Sequence, residues 1–175
     1  MITVSHNLRS SHLQALILVI AIALTACTSG ENLVVTQKNI ENVIYRLNDD
    51  DDTASAIRYQ ATGEATPPEL IIQSFVKAND KTYKVTSIGP KAFIDLDITS
   101  IMLGENLLTI EKEAFKYCTG ITEIDFNGEV LPTLSVDAFE TSVYETATLI
   151  VPKGTELPFP WSNFKNVAYS SILRL

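Results

Sequence analysis

One short pattern occurs three times in this chain: Ile88-Gly-Pro-Lys-Ala92-Phe93, Ile110-Glu-Lys-Glu-Ala114-Phe115 and Leu134-Ser-Val-Asp-Ala138-Phe139. The phenylalanines stand 22 and 24 residues apart. A period of this size belongs to a solenoid, in which no unit can bury its apolar face alone and each winding leans on its neighbours. Aligned on the rings, Val85, Leu107 and Leu131 form one column, and Ile88, Ile110 and Leu134 another. A second strand in each winding supplies Ile101 and Leu103, Ile124 and Phe126, then Leu149 and Val151. Alternation along a strand sends each of these pairs to one face, which is the inside. The alanine before each ring lets the chain bend closely while the ring fills the interior.

The same alternation sends two rows outward: Ser100, Glu123 and Thr148, then Met102, Asp125 and Ile150. Met102 and Ile150 are apolar where polar residues were free to stand, and with the acidic pair between them they form a candidate binding face for a protein or glycan. Scattered surface apolarity is the plainer account of the same residues.

The first 26 residues read as an export leader. Arg9 precedes the apolar run from Ala15 to Leu24, which is short for a membrane span and ends in the small residues Thr25 and Ala26. Leu24-Thr25-Ala26-Cys27 resembles the bacterial lipobox, whose cysteine is acylated and becomes the first mature residue. That resemblance implies lipidation at Cys27, attachment to a membrane through lipid, and residence in the bacterial cell envelope, with the outer membrane as the expected site. An ordinary secretory signal or an uncleaved anchor competes with it. Residues 27–39 read as a tether and 168–175 as a tail.

Cleavage would leave 149 residues (175 minus 26), enough for one modest core. Both histidines, His6 and His12, lie in the leader, and Cys118 would be the remaining thiol. A Cys-His or Ser-His-Asp site therefore cannot be built, nor a metal site of histidines or several cysteines. No cofactor and no metal are expected. Net charge moves from −8 to −9 when Arg9 leaves (12 basic against 21 acidic), which disfavours nucleic acid as a partner. Glu111 with Glu113, or Glu123 with Asp125, could imitate the carboxylate pair of a glycan hydrolase, but a solvated face explains them better. Asn48 to Asp52 lacks the glycine and glutamate of a calcium loop and reads as a hairpin turn.

Before the repeat, Val43–Leu47, Ala56–Gln60, Leu70–Val76 and Thr82–Ile88 read as strands, with a positive-φ turn at Asn79-Asp80. Residues 40–80 are expected to form β-hairpins capping one end. Pro158, Pro160, Trp161 and Phe164 are expected to close the other.

Residues 81–167 resemble the BspA-like leucine-rich repeats of bacterial surface proteins. The closest stretch is Lys81-Thr-Tyr-Lys-Val-Thr-Ser-Ile-Gly-Pro-Lys-Ala-Phe93, and Cys118 occupies the family's cysteine position three residues after Phe115. The resemblance implies a mostly β fold: a short right-handed leucine-rich-repeat solenoid of about three coils with parallel strands on its faces. It implies attachment or ligand binding without catalysis. A structural accessory subunit of an envelope complex is the alternative, and a carboxylate-dependent hydrolase a weaker one.

Overall fold

The structure, a computed structural model, describes residues 36–61 and 66–170. Among the described residues, twelve strands, one short α-helix and one 3-10 turn follow in order: β1 (Thr36–Ile40), β2 (Val43–Asn48), β3 (Thr53–Tyr59), β4 (Glu69–Ile71), β5 (Phe75–Ala78), β6 (Lys81–Ile88), β7 (Ser100–Leu103), β8 (Thr109–Ile110), β9 (Glu123–Phe126), β10 (Thr133–Leu134), α1 (Thr141–Thr146), β11 (Thr148–Pro152), the 3-10 turn (Trp161–Asn163) and β12 (Asn166–Ser170). They divide between two sheets. One has seven strands in the order β1-β2-β3-β6-β8-β10, with β5 beside β6; the other has five in the order β12-β11-β9-β7-β4. Every pairing in the five-stranded sheet is parallel.

Chain order explains this arrangement. Each winding places one strand in the first sheet and the next in the second: β6 then β7, β8 then β9, β10 then β11. The repeat-bearing windings therefore number three, as the phenylalanines imply. A further winding precedes them, because β3 pairs parallel with β6 and β4 pairs parallel with β7. The capping hairpin is correspondingly smaller than residues 40–80 and consists of β1 and β2. This winding carries Ala54 and Ala56 in the columns that hold Val85 and Ile88 in the next. Their smallness leaves room for Leu47 and Tyr45 of β2, which pair across from them.

Three boundaries differ from expectation. Residues 36–39 lie in β1, paired antiparallel to β2, so they are sheet rather than tether. Residues 168–170 extend β12 along β11 and are not tail. Leu70–Val76 is two strands in different sheets. Between them the Ile72 amide donates to the Met102 carbonyl at 2.9 Å and the Gln73 amide to the Tyr45 hydroxyl at 3.3 Å, which holds the corner. The turn at Asn79 and Asp80 has the expected positive φ values of 50° and 60°.

The core is a set of ladders. Ile101, Leu103, Ile124, Phe126, Leu149 and Val151 are all at most 1% exposed, so the inward strand positions are as alternation requires. The Phe93 and Phe115 rings stack at 5.4 Å between centroids, and Phe115 and Phe139 at 4.9 Å and nearly parallel. Stacked pairs of this kind contribute about 0.5–1.5 kcal/mol beyond their burial. The backbone matches: the Phe93 amide donates to Ala114 and the Phe115 amide to Ala138, both at 2.8 Å. The bend before Ala92 and before Ala114 is tight, with Lys91 and Glu113 at φ 57° and 56°. Gly104 sits where two coils touch closely. A β-carbon there would lie 2.8 Å from the Gln73 carbonyl oxygen and 2.9 Å from that of Ile72, both backbone atoms that cannot swing away.

The C-terminal end is closed by aromatics. Trp161 is fully buried, stacks on Phe164 at 5.9 Å, and donates its indole N–H to the Pro132 carbonyl at 2.7 Å. Phe164 in turn meets Tyr144 of α1 and Phe139 edge-on. Pro160 joins them in the interior, whereas Pro158 is exposed.

Candidate functional site

The outer face of the five-stranded sheet brings the expected residues into register. Ser100 pairs with Glu123 and Glu123 with Thr148; Met102 pairs with Asp125 and Asp125 with Ile150. Parallel strands sit about 4.8 Å apart, so each row is a line of side chains at that spacing, and the two rows lie about 7 Å apart along the strands. The rows are longer than the repeat suggested. Glu69 and Ile71 of β4 extend them at one end, and Asn166 and Ala168 of β12 at the other. Reading 70–76 as a single strand hid the first pair, and assigning 168–175 to a tail hid Ala168.

Exposure sorts these positions. Glu123 is exposed, and Ser100, Met102, Thr148 and Ile150 are partly covered. Asp125 departs from expectation, with only 9% of its surface open. Met102 and Ile150 flank it in the same row. The face is therefore an acidic and apolar strip: its five strands contain Glu69, Glu123 and Asp125 and no lysine or arginine. A strip of that kind can offer methyl and thioether surface beside carboxylate acceptors.

The other chemically suggestive residues serve the coil corners. Glu113 accepts from Lys116 and also pairs with Lys91 at 3.1 Å, and these two ammonium groups, Lys116 first, hold its carboxyl below the usual range. That is the state of an ionised brace between windings, the opposite of a proton donor. In the acidic turn, Asp49 accepts from the Tyr83 hydroxyl and pairs with Lys81, which also reaches Asp52. Asp51 caps the turn by accepting from the Thr53 amide at 3.1 Å. These carboxylates fold the turn around one lysine.

Cys118 is fully buried. Its thiol donates to the Phe93 carbonyl at 2.9 Å and accepts from the Leu96 amide at 3.3 Å, joining its own winding to the one before. Burial pushes the thiol pKa up, so the reactive thiolate is disfavoured. Iodoacetamide is expected to leave Cys118 unmodified in the folded chain at neutral pH and to alkylate it rapidly in denaturant. Fast labelling without denaturant, followed by mass spectrometry, would contradict the placement.

A family model described as the BspA type leucine rich repeat region matches residues 75–167 in six copies. The chain is similar to a leucine-rich repeat protein from Bacteroides capillosus ATCC 29799, at 22% identity over 77% of this chain and 98% of that one, with a TM-score of 0.49. It is also similar to a leucine rich cell surface protein from Faecalibacterium prausnitzii A2-165, at 17% identity over 77% of this chain and 42% of that one, with a TM-score of 0.52. The second likeness is one of fold, and the chain spans less than half of that protein's length. No curated protein matches the chain.

Proposed function

Because the chain belongs to the BspA-type leucine-rich repeat family, we propose that it is a non-catalytic recognition protein of the bacterial cell envelope. Its working part is the outer face of the five-stranded sheet, and its partner is a protein or a glycan. One observation carries the reading: five parallel strands hold Ser100, Glu123 and Thr148, and beside them Met102, Asp125 and Ile150, in two continuous rows. Such a surface is broad and shallow, suited to a partner's surface or an extended chain rather than to an enclosed small molecule. Apolar side chains at its centre supply area, and the carboxylates fix orientation.

Acylation at Cys27, which lies outside the described residues, holds the domain to the outer membrane in this reading. More than one acyl chain anchors durably, since each buried methylene contributes about 0.8 kcal/mol. The name of the Faecalibacterium relative, a cell surface protein, supports outward display.

The test is direct. The purified chain is titrated against matrix proteins, glycans and bacterial surface proteins, together with the double variant Met102→Glu/Ile150→Glu. The variant is expected to weaken the interaction at least tenfold, equivalent to about 1.4 kcal/mol. Its thermal midpoint should stay close to the parent's, because both positions are already partly exposed. The absence of saturable binding across the panel, or equal affinity of the double variant, overturns the proposal. Crosslinking in cells to one constant envelope protein would instead favour an accessory-subunit role. In parallel, Cys27→Ser is expected to abolish incorporation of labelled palmitate.

A further inference from the structure

The two sheets are oppositely charged. The strands of the seven-stranded sheet contain Lys38, Arg46, Arg58, Lys77, Lys81 and Lys84 and no carboxylate. The five-stranded sheet contains carboxylates and no cation, as described above. This separation stands out in a chain with 21 acidic residues against 13 basic ones, where a carboxylate beside each cation would be easy to supply.

Opposite charges facing each other across strands are stabilising, so pairing is the expected use of a sheet cation. Here it is avoided. The cross-strand neighbours of Arg46 are Gln37 and Ser55; that of Arg58 is Ile44; those of Lys84 are Thr53 and Phe75. Among the described residues the ion pairs involve Lys81, Lys91 and Lys116, and none involves Arg46, Arg58 or Lys84. All three are exposed. The carboxylates nearest Arg46 along the chain stand in the turn after β2, and two of them, Asp49 and Asp52, are engaged by Lys81; Lys84 shares a cavity with Glu105 and Glu129, and neither forms an ion pair with it.

Between these cations lies a donor. Ser55 pairs with Ser87 across β3 and β6, and their hydroxyl oxygens are 2.6 Å apart. One hydroxyl proton is used in that contact, which leaves the other free to donate outward. Arg46 stands beside Ser55, and Lys84 two strands from Arg46, roughly 10 Å across the sheet. Beside them, Ile44, the cross-strand partner of Arg58 and two residues before Arg46 on β2, is 5% exposed and lies outside the core cluster. A guanidinium presents a planar fork of donors that meets the oxygens of an anionic group two at a time.

We propose that this face, with Arg46, Arg58 and Lys84 around the Ser55–Ser87 hydroxyl pair, binds an anionic polysaccharide through its sulfate or carboxylate groups. The spacing of the cations suits successive charges of an extended chain better than a single small ion. A polyanion also gains from releasing its own counterions when several cations meet it. This site is separate from the acidic strip on the other sheet and does not depend on it.

Heparin is the sulfated probe, polygalacturonate the carboxylated one, and dextran the neutral control. The full chain in neutral detergent micelles is titrated at low salt, about 50 mM, and again at about 200 mM. Saturable binding of at least one polyanion is expected, falling steeply with salt, with none to dextran. The triple variant Arg46→Gln/Arg58→Gln/Lys84→Gln is expected to bind at least tenfold more weakly with a shallower salt slope, at an unchanged thermal midpoint. A control variant, Lys153→Gln/Lys165→Gln, removes two exposed cations elsewhere, against three here, and should bind as the parent does. So should Met102→Glu/Ile150→Glu, which separates this site from the proposed recognition strip. No polyanion binding at low salt, equal affinity of the triple variant, or an equal loss in the control variant overturns the proposal. Preferential binding to phosphatidylglycerol vesicles over both polysaccharides would overturn it too, by assigning the face to lipid headgroups.

Discussion

Replacing Phe115 by alanine is expected to destabilise the chain by about 3–5 kcal/mol, the usual range for truncating a buried aromatic. Phe115 is the middle ring of the stack, fully buried, with Phe93 on one side and Phe139 on the other. Its loss leaves a void beside both neighbours: Phe93 is held by its own amide bond to Ala114, and Phe139 follows Ala138, which accepts from the Phe115 amide. A modest domain has 5–15 kcal/mol in hand altogether, so the variant should unfold at much lower denaturant concentration. Phe93→Ala removes one stacking contact instead of two and should cost less. Urea titrations followed by circular dichroism measure both. Equal midpoints for Phe115→Ala and the parent would show that the rings do not carry the ladder.

The second large effect concerns the closed end. Trp161→Ala is expected to cost a similar 3–5 kcal/mol, because it empties the seat between Phe164 and the last winding. Trp161→Phe isolates one part of that loss. It keeps most of the apolar contact but leaves the Pro132 carbonyl without the indole donor, at about 1–3 kcal/mol. The two variants should also differ in where they act. In a solenoid each winding touches only its neighbours. Amide exchange after Trp161→Ala should therefore quicken most in β11 and β12 and least in β2 and β3. A uniform increase along the chain would mean that the windings unfold as one block.

Much of this architecture is legible in the sequence. Ala92, Ala114 and Ala138 with the rings after them fix the period, and the period fixes which strand residues point inward. The preceding winding was hidden because Ala54 and Ala56 do the work that Val85 and Ile88 do later, and alanine carries little periodic signal. Its register is also interrupted by bulges between Ile44 and Tyr45 and between Ala54 and Ser55. The corner at Ile72–Ser74 escaped notice because Leu70, Ile71 and Ile72 form an unbroken apolar run. Such a run marks burial but not the place where the chain changes sheets.

The candidate face was legible only as a direction. Alternation states that Asp125 points away from the core; it does not state that only 9% of its surface stays open. The unpaired cations of the seven-stranded sheet were invisible for a related reason. Arg46, Arg58 and Lys84 are scattered along the sequence, and only strand pairing shows that their neighbours are neutral.

The β1–β2 hairpin gives the molecule a mechanically weak end. Its bend lies at Glu41 and Asn42, both left-handed at φ 50° and 67°, and its open mouth is at Thr36 opposite Leu47. A load entering from the N-terminal side arrives at that mouth and peels the ladder one rung at a time toward Ile40, instead of shearing all its bonds together. A domain tethered there by lipid would yield first in this arm when a bound partner is pulled away, and the ring-stacked windings would stay folded while it pays out slack.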